Sequence, residues 1–191
     1  VMHNYVIITD STCDLSPSLV EKMQVEVIPM EFTIADKNYR NYPDNRDLDP
    51  ADFYTKLRAG GMATTAQVTA LTYTEVAKPF LNAGQDVLFL IFSSGLSGSF
   101  NSSRLAAEEL SHNYPERTVR TVDSLAASMG EGLLVYHAAM RRLAGDSLNE
   151  VADWVEQNRN RLCHWFTVDD LHFLHRGGRV SGAAAVMGTT W

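Results

Sequence analysis

Short, wholly apolar runs alternate along this chain with stretches whose apolar residues recur every three or four positions. "YVIIT" (5–9) and "DVLFLIF" (86–92) have no polar face, the pattern of strands buried on both sides of a parallel sheet. "VEVIPMEFTI" (25–34) predicts one or two strands broken near Pro29. "TVRTVDS" (118–124) predicts a strand with a polar end, and "HWFTV" (164–168) a further one. Between them lie helical signals. Ser16 before Pro17 reads as an N-cap with proline at the first helical position. Asp49, Pro50 and Asp52 open a helix that runs to Gly60 and Gly61, and Thr69 caps one ending at Gly84. Further helices are expected near 99–112, over 128–144 with a stop at Gly145, and over 148–162 behind a capping box of Ser147 and Glu150. "NYRNYPDNRDLDP" reads as a loop with a strand fragment and "MATTAQVT" as a polar loop. "DDLHFLHRGGRVS" reads as a short helix followed by a glycine turn.

Strands alternating with helices imply βαβ units. The expected fold is α/β, a mostly parallel, Rossmann-like sheet with helices on both faces. The turn at 145–147 is the best candidate boundary. It separates an N-terminal α/β domain (1–145) from the start of a second α/β domain (146–191). "GAAAVMGTTW" (182–191) reads as the start of a helix with no cap or glycine exit after it, so the second domain is expected to be incomplete. Val1 precedes Met2 and is expected to be foreign to the natural start.

Composition narrows the function classes. Of 191 residues 45% are hydrophobic and 20% charged, as in a folded globular protein, and the net charge is −7. An acidic balance argues against a nucleic-acid surface or an anionic membrane as partner. The apolar runs are too short to span a membrane, and no signal peptide opens the chain. Cys13 and Cys163 fit no metal-site spacing and read as reduced thiols of a cytoplasmic protein.

In open α/β sheets ligands sit beyond the carboxyl ends of the strands. Three loops there are rich in hydroxyls: "TDST" (9–12), "FSSGLSGS" (92–99) and "VDSLAAS" (122–128), with "TTAQVT" (64–69) able to fold over the same rim. Such a rim of hydroxyls, glycines and helix N-terminal amides suits a carboxylate or another polar head group, without lysine or arginine. Each charge-assisted hydrogen bond contributes about 1.5–3 kcal/mol. The simpler reading of any one serine is that it caps the next helix.

Other chemistries are less well matched. Around Ser97 the nucleophile-elbow spacing G-x-S-x-G is off by one, although a serine hydrolase using Ser93, Ser94 or Ser97 is an alternative. A phosphate- or nucleotide-binding regulatory module on the same loop is another, but neither a Walker motif nor G-x-G-x-x-G follows a strand. "GEG" (130–132) falls inside a helix, where its glycines would permit close packing or loosen the helix start. His172 and His175 share a helix face but have no third ligand at helical spacing, so no metal is expected. "HRGGRVS" (175–181) fits an anion site, an interface or a solvated turn.

Taken together, "TDSTCDL", "TTAQVT", "LIFSSGLSGSFNSS", "VDSLAASMGEG" and "DDLHFLHRGGRVS" resemble the DegV family in order and spacing over residues 5–181. The resemblance implies a two-domain α/β protein that holds one long-chain fatty acid between its domains. The family's function is to present that acid to a separate kinase subunit related to dihydroxyacetone kinases, which makes the acyl phosphate. The chain would then be a binding subunit with no catalytic residues and no cofactor. By resemblance Thr65, Ser93 and Ser94 meet the head group. Asp10, Ser11, Gly95 and Ser124 line the rim nearby, and Arg176 and Arg179 face the kinase. Ala66 and Val68 stand where the family usually has serine and proline. The family's C-terminal part, which completes the second domain and the tunnel and carries a late histidine, has no counterpart in this sequence.

Overall fold

A computed structural model of the chain describes residues 4–181. Strands β1 (Tyr5–Asp10), β2 (Glu26–Ile28), β6 (Asp86–Ile91) and β7 (Val119–Asp123) form a wholly parallel sheet in the order β2-β1-β6-β7. The apolar runs form central strands because each sends alternate side chains to opposite helical layers. Tyr5 and Ile7 of β1, Leu88 and Leu90 of β6 and Val122 of β7 face one core cluster. Its other walls come from helices α1 (Pro17–Met23), α5 (Ser128–Ala144) and α6 (Leu148–Asn158). Val6, Ile8, Val87, Phe89 and Ile91 face the other cluster, under α3 (Ala70–Asn82) and α4 (Ser99–Asn113).

The chain leaves β1 toward β2 on one side and, later, toward β6 on the other. The order of connections therefore reverses between β1 and β6, the crevice in which α/β sheets bind ligands.

A second, antiparallel sheet has the order β4-β3-β5, from β3 (Met30–Ile34), β4 (Lys37–Asn41) and β5 (Ala63–Ala66). Ala35 and Asp36 turn the β3–β4 hairpin with φ of 50° and 57°, as a two-residue turn with both centres left-handed requires. Helix α2 (Pro50–Arg58) precedes β5. Residues 63–66, read from sequence as loop, are an edge strand: their polar side chains stay exposed while their backbone pairs with β3.

The expected helix starts are present. Ser16, Asp49, Thr69 and Ser147 each accept a first-turn backbone N–H, and Glu150 completes the capping box. One other expectation fails. Residues 164–168 form no strand: among the described residues no strand pairs with them, and Trp165 and Phe166 are 96% and 81% exposed. The turn at 145–147 joins two helices of one layer. Leu148, Val151, Ala152 and Val155 of α6 are buried in the same cluster as β1 and β6. Beyond α6 the described part ends with helix α7 (Leu171–Arg176). The helix expected from "GAAAVMGTTW" lies outside the described residues. Among the described residues no helix is long and apolar enough to cross a membrane.

Candidate functional site

At the crevice the carboxyl ends of β1, β6 and β7 are tied together through side chains. Asp10 caps the 3-10 turn Ser11–Cys13 by accepting from the Thr12 amide (3.1 Å) and the Thr12 hydroxyl at Oδ1. Its Oδ2 accepts from the Phe92 amide at 3.4 Å, so the acid at the end of β1 fixes the first residue of the serine loop after β6. At the far side Asp123 Oδ1 accepts from the amides of Ser94 (3.2 Å) and Leu125 (3.0 Å). The Ser93 amide donates to the Ala126 carbonyl at 3.0 Å. The loop is therefore held by its backbone from both neighbouring strands, which leaves its hydroxyls for other work.

Those hydroxyls differ in what they still have to offer. Ser93 is almost buried and its Oγ accepts from the Gly95 amide (3.3 Å); Ser11 is buried and its Oγ accepts from the Met30 amide (2.9 Å). Among the described residues neither hydroxyl donates its proton to an acceptor. Ser94 and Gly95 are exposed beside them. Ser124, expected on the rim, is wholly buried and committed: its Oγ accepts from the Ala126 amide (3.2 Å) and donates to the Ala126 carbonyl (3.3 Å). Thr65 sits on β5 opposite Phe32 and lines a separate cleft of about 250 Å³ with Thr33 and Asn38. No hydrogen bond joins Thr65 to Ser93 or Ser94. The loop after β5 does reach the rim, where the Val68 amide donates to Ser99 Oγ (3.1 Å) and Gln67 Nε2 to Ser102 Oγ (3.4 Å).

One buried group under the rim, Glu131, was not legible as a site residue. Glu131 of α5 is fully buried, accepts from the Thr9 hydroxyl at 3.1 Å and lies 2.7 Å from the Thr12 hydroxyl. Burial, and after it the Asp10 charge, hold its carboxyl well above the usual range, against hydrogen bonds from Thr12 and Thr9. Burial also pushes Asp10 up, opposed by its bonds from Thr12 and Phe92. The first turn of α5 reaches this position because Gly132 lets the helix lie on the 3-10 turn: a Cβ there would stand 2.5 Å from the Cys13 carbonyl oxygen. The close-packing role read for "GEG" is thus realised.

Cys13 is buried under the same turn, and desolvation pushes its thiol up to about 12. Cys163 is exposed. Iodoacetamide at neutral pH is expected to modify Cys163 alone in the native protein and Cys13 only on unfolding. Equal labelling rates by peptide mass mapping would contradict this burial.

Arg176 and Arg179 are exposed at the end of α7. Arg176 stacks over Phe173 at 4.3 Å and Arg179 donates to the Gly177 carbonyl. Among the described residues no histidine hydrogen-bonds Ser93, Ser94 or Ser97; His172 binds Asp170 and His175 the Val180 carbonyl. No group of three His, Cys, Asp or Glu among them is arranged to hold a metal.

The model of the DegV family, described as "Uncharacterised protein, DegV family", matches residues 4–191. The chain belongs to the DegV family. A DegV domain-containing protein of Clostridium perfringens is 43% identical over 98% of this chain and 64% of its own length. One from Lactococcus lactis is 36% identical over 97% of this chain and 64% of its own. This DegV chain thus spans a little under two thirds of those relatives. Among solved structures, a DegV family protein from Thermus thermophilus, described by its fatty acid binding, superposes with a TM-score of 0.83. It is 35% identical and covers 98% of this chain and 64% of its own. A stearic acid-binding protein from Eubacterium ventriosum gives 0.81 at 26% identity, over 96% of this chain and 63% of its own.

Proposed function

We propose that this DegV chain holds the carboxylate of a long-chain fatty acid at the crevice between β1 and β6. The observation that carries the reading is the pair of rim hydroxyls, Ser11 and Ser93, whose protons meet no acceptor among the described residues. Hydroxyl donors aimed at a rim suit a singly charged head group whose affinity comes from elsewhere. A long acyl tail supplies it, at about 0.8 kcal/mol per buried CH₂, while the hydroxyls orient the acid. Solved relatives described as fatty acid-binding support the ligand class. In this reading Ser93, Ser94 and Gly95 meet the carboxylate, Asp10 and Asp123 hold their loop, and Thr65 approaches only when a ligand spans to β5.

The protein acts as a binding subunit in the cytoplasm, without a cofactor, and presents the acid to a separate kinase related to dihydroxyacetone kinases. Arg176 and Arg179, exposed on the last described turn, form part of the face offered to that kinase. This presentation step rests on the family resemblance.

Mass spectrometry of an organic extract of the full-length protein is expected to release one fatty acid per chain. Ser93→Ala is expected to weaken palmitate binding about tenfold, the equivalent of one lost hydrogen bond to a charged group, without changing the fold. Protein that carries no lipid and has no affinity for palmitate defeats the reading.

A further inference from the structure

The buried acids beneath the rim carry more than a packing role. Asp10 and Glu131 are both fully buried, and among the described residues no cationic side chain bonds to either. One hydroxyl, that of Thr12, lies between them, against Asp10 Oδ1 on one side and 2.7 Å from Glu131 Oε2 on the other. A hydroxyl has a single proton. It can donate to one carboxyl, and facing the second it must accept. If both acids were ionised, one of these two contacts would set lone pair against lone pair between two buried carboxyls.

The proton's place follows from the remaining partners. Asp10 accepts from two backbone amides, Thr12 and Phe92, in addition to the hydroxyl, a set that favours a carboxylate. Glu131 has one further donor, Thr9 at 3.1 Å on Oε1, which leaves Oε2 to carry a proton toward Thr12.

We propose that Glu131, Thr12 and Asp10 form a relay that shares one acid proton and positions the serine loop. Glu131 Oε2–H donates to Thr12, Thr12 donates to Asp10 Oδ1, and Asp10 Oδ2 receives the Phe92 amide. Glu131 and Thr12 are positioning residues, acting on the ligand through Asp10 and the loop at 92–95. The relay rests on the fatty-acid reading only for what the loop binds. The groups facing it are Cys13 and Asp14 at the 3-10 turn and Tyr73 of α3, and of these Asp14, together with Asp10, disfavours a second negative charge on Glu131. Asp14 is itself engaged by the Ser128 hydroxyl at 2.5 Å.

The relay predicts a proton count. A Glu131 carboxyl kept protonated in the folded state and ionised in the unfolded chain makes unfolding release one proton. Its stabilisation is complete below the ordinary glutamate range and is lost as pH rises toward the raised folded value. Denaturant unfolding of the full-length protein between about pH 5.5 and 8 is expected to show an unfolding constant that climbs about tenfold per pH unit more steeply than that of Glu131→Gln. Parallel profiles for the two would overturn the relay. Amide exchange at Phe92 gives the positioning readout. Thr12→Val, which keeps the shape and removes the hydroxyl, is expected to speed exchange at Phe92 and weaken palmitate binding, each about tenfold, and Thr12→Ser is expected to restore both. Unchanged Phe92 exchange in a folded Thr12→Val protein rejects the positioning role. If Thr12→Val does not fold, failure of Thr12→Ser to match the parent exchange rate rejects it as well. Proton release and amide exchange need no lipid. A protein that passes both and binds no palmitate refutes the fatty-acid proposal and leaves the relay standing.

Discussion

Replacing Arg142 with methionine is expected to lower the unfolding free energy by about 3 kcal/mol. Arg142 lies on α5 with 3% of its surface exposed, and among the described residues it has no carboxylate partner. Its guanidinium instead gathers backbone carbonyls. Nη2 donates to Met23 (2.5 Å) and Gln24 (3.0 Å), and Nη1 to Tyr5 (3.5 Å). The Met23 and Gln24 carbonyls are at the C-terminal end of α1, where helix carbonyls lack partners and the dipole favours a cation. Burial lowers the affinity of this guanidinium for its proton, opposed by the adjacent Tyr5, so the charge is held at some desolvation cost. Methionine fills similar space and removes that cost, but it leaves the carbonyls buried without donors. Lysine offers one point of donation and cannot serve three acceptors in a fork, so it recovers only part of the loss. Chemical denaturation measures the difference; a methionine variant as stable as the parent would mean that desolvation outweighs the three bonds.

Gly132→Ala should destabilise the protein by about 2 kcal/mol, the reverse of what an alanine does in an unconstrained helix interior. The added methyl would sit 2.5 Å from the Cys13 carbonyl oxygen and 3.3 Å from Leu15 Cδ2. The nearer obstacle is backbone, so α5 or the 3-10 turn must move, and either movement pulls Glu131 from Thr12. Gly130→Ala is the control. There the new methyl would meet the His164 ring at 2.2 Å, but His164 is exposed and can swing aside. Helix propensity then favours alanine by up to about 1 kcal/mol. Thermal or denaturant unfolding of the two variants separates them by sign. Equal losses would show that the helix tolerates neither position for a reason other than the Cys13 contact.

The parallel sheet was readable because β1 and β6 are apolar on both faces, a pattern few other structures need, and because capping residues stand where the helices begin. β5 was not, since "ATTA" buries nothing and becomes a strand only through backbone pairing with a partner some thirty residues away. "HWFTV" misled in the opposite direction: its β-prone residues meet no partner strand among the described residues, and Trp165 and Phe166 stay exposed. On the rim, the hydroxyl-rich loops after β1, β6 and β7 were expected together, because strand direction alone brings them to one edge, while Asp10, Ser11, Ser93, Ser94 and Gly95 were singled out by the family resemblance. It could not say that the Ser124 hydroxyl is consumed by its own turn. Nor did it raise Glu131. One signal was present, a lone acid between two glycines in a helix with no other charge before Arg141, where a solvated face would have carried several charges.

The link between Thr12 and Glu131 spans 119 positions of chain. Sheet pairing between β1 and β6 joins residues already far apart, and this link closes a larger loop still. A fragment that stops short of Glu131 can pair β1, β6 and β7, yet Asp10 in it faces the crevice without its companion acid. In the proposed relay, competence of the rim is a property of the long-range closure, acquired with α5.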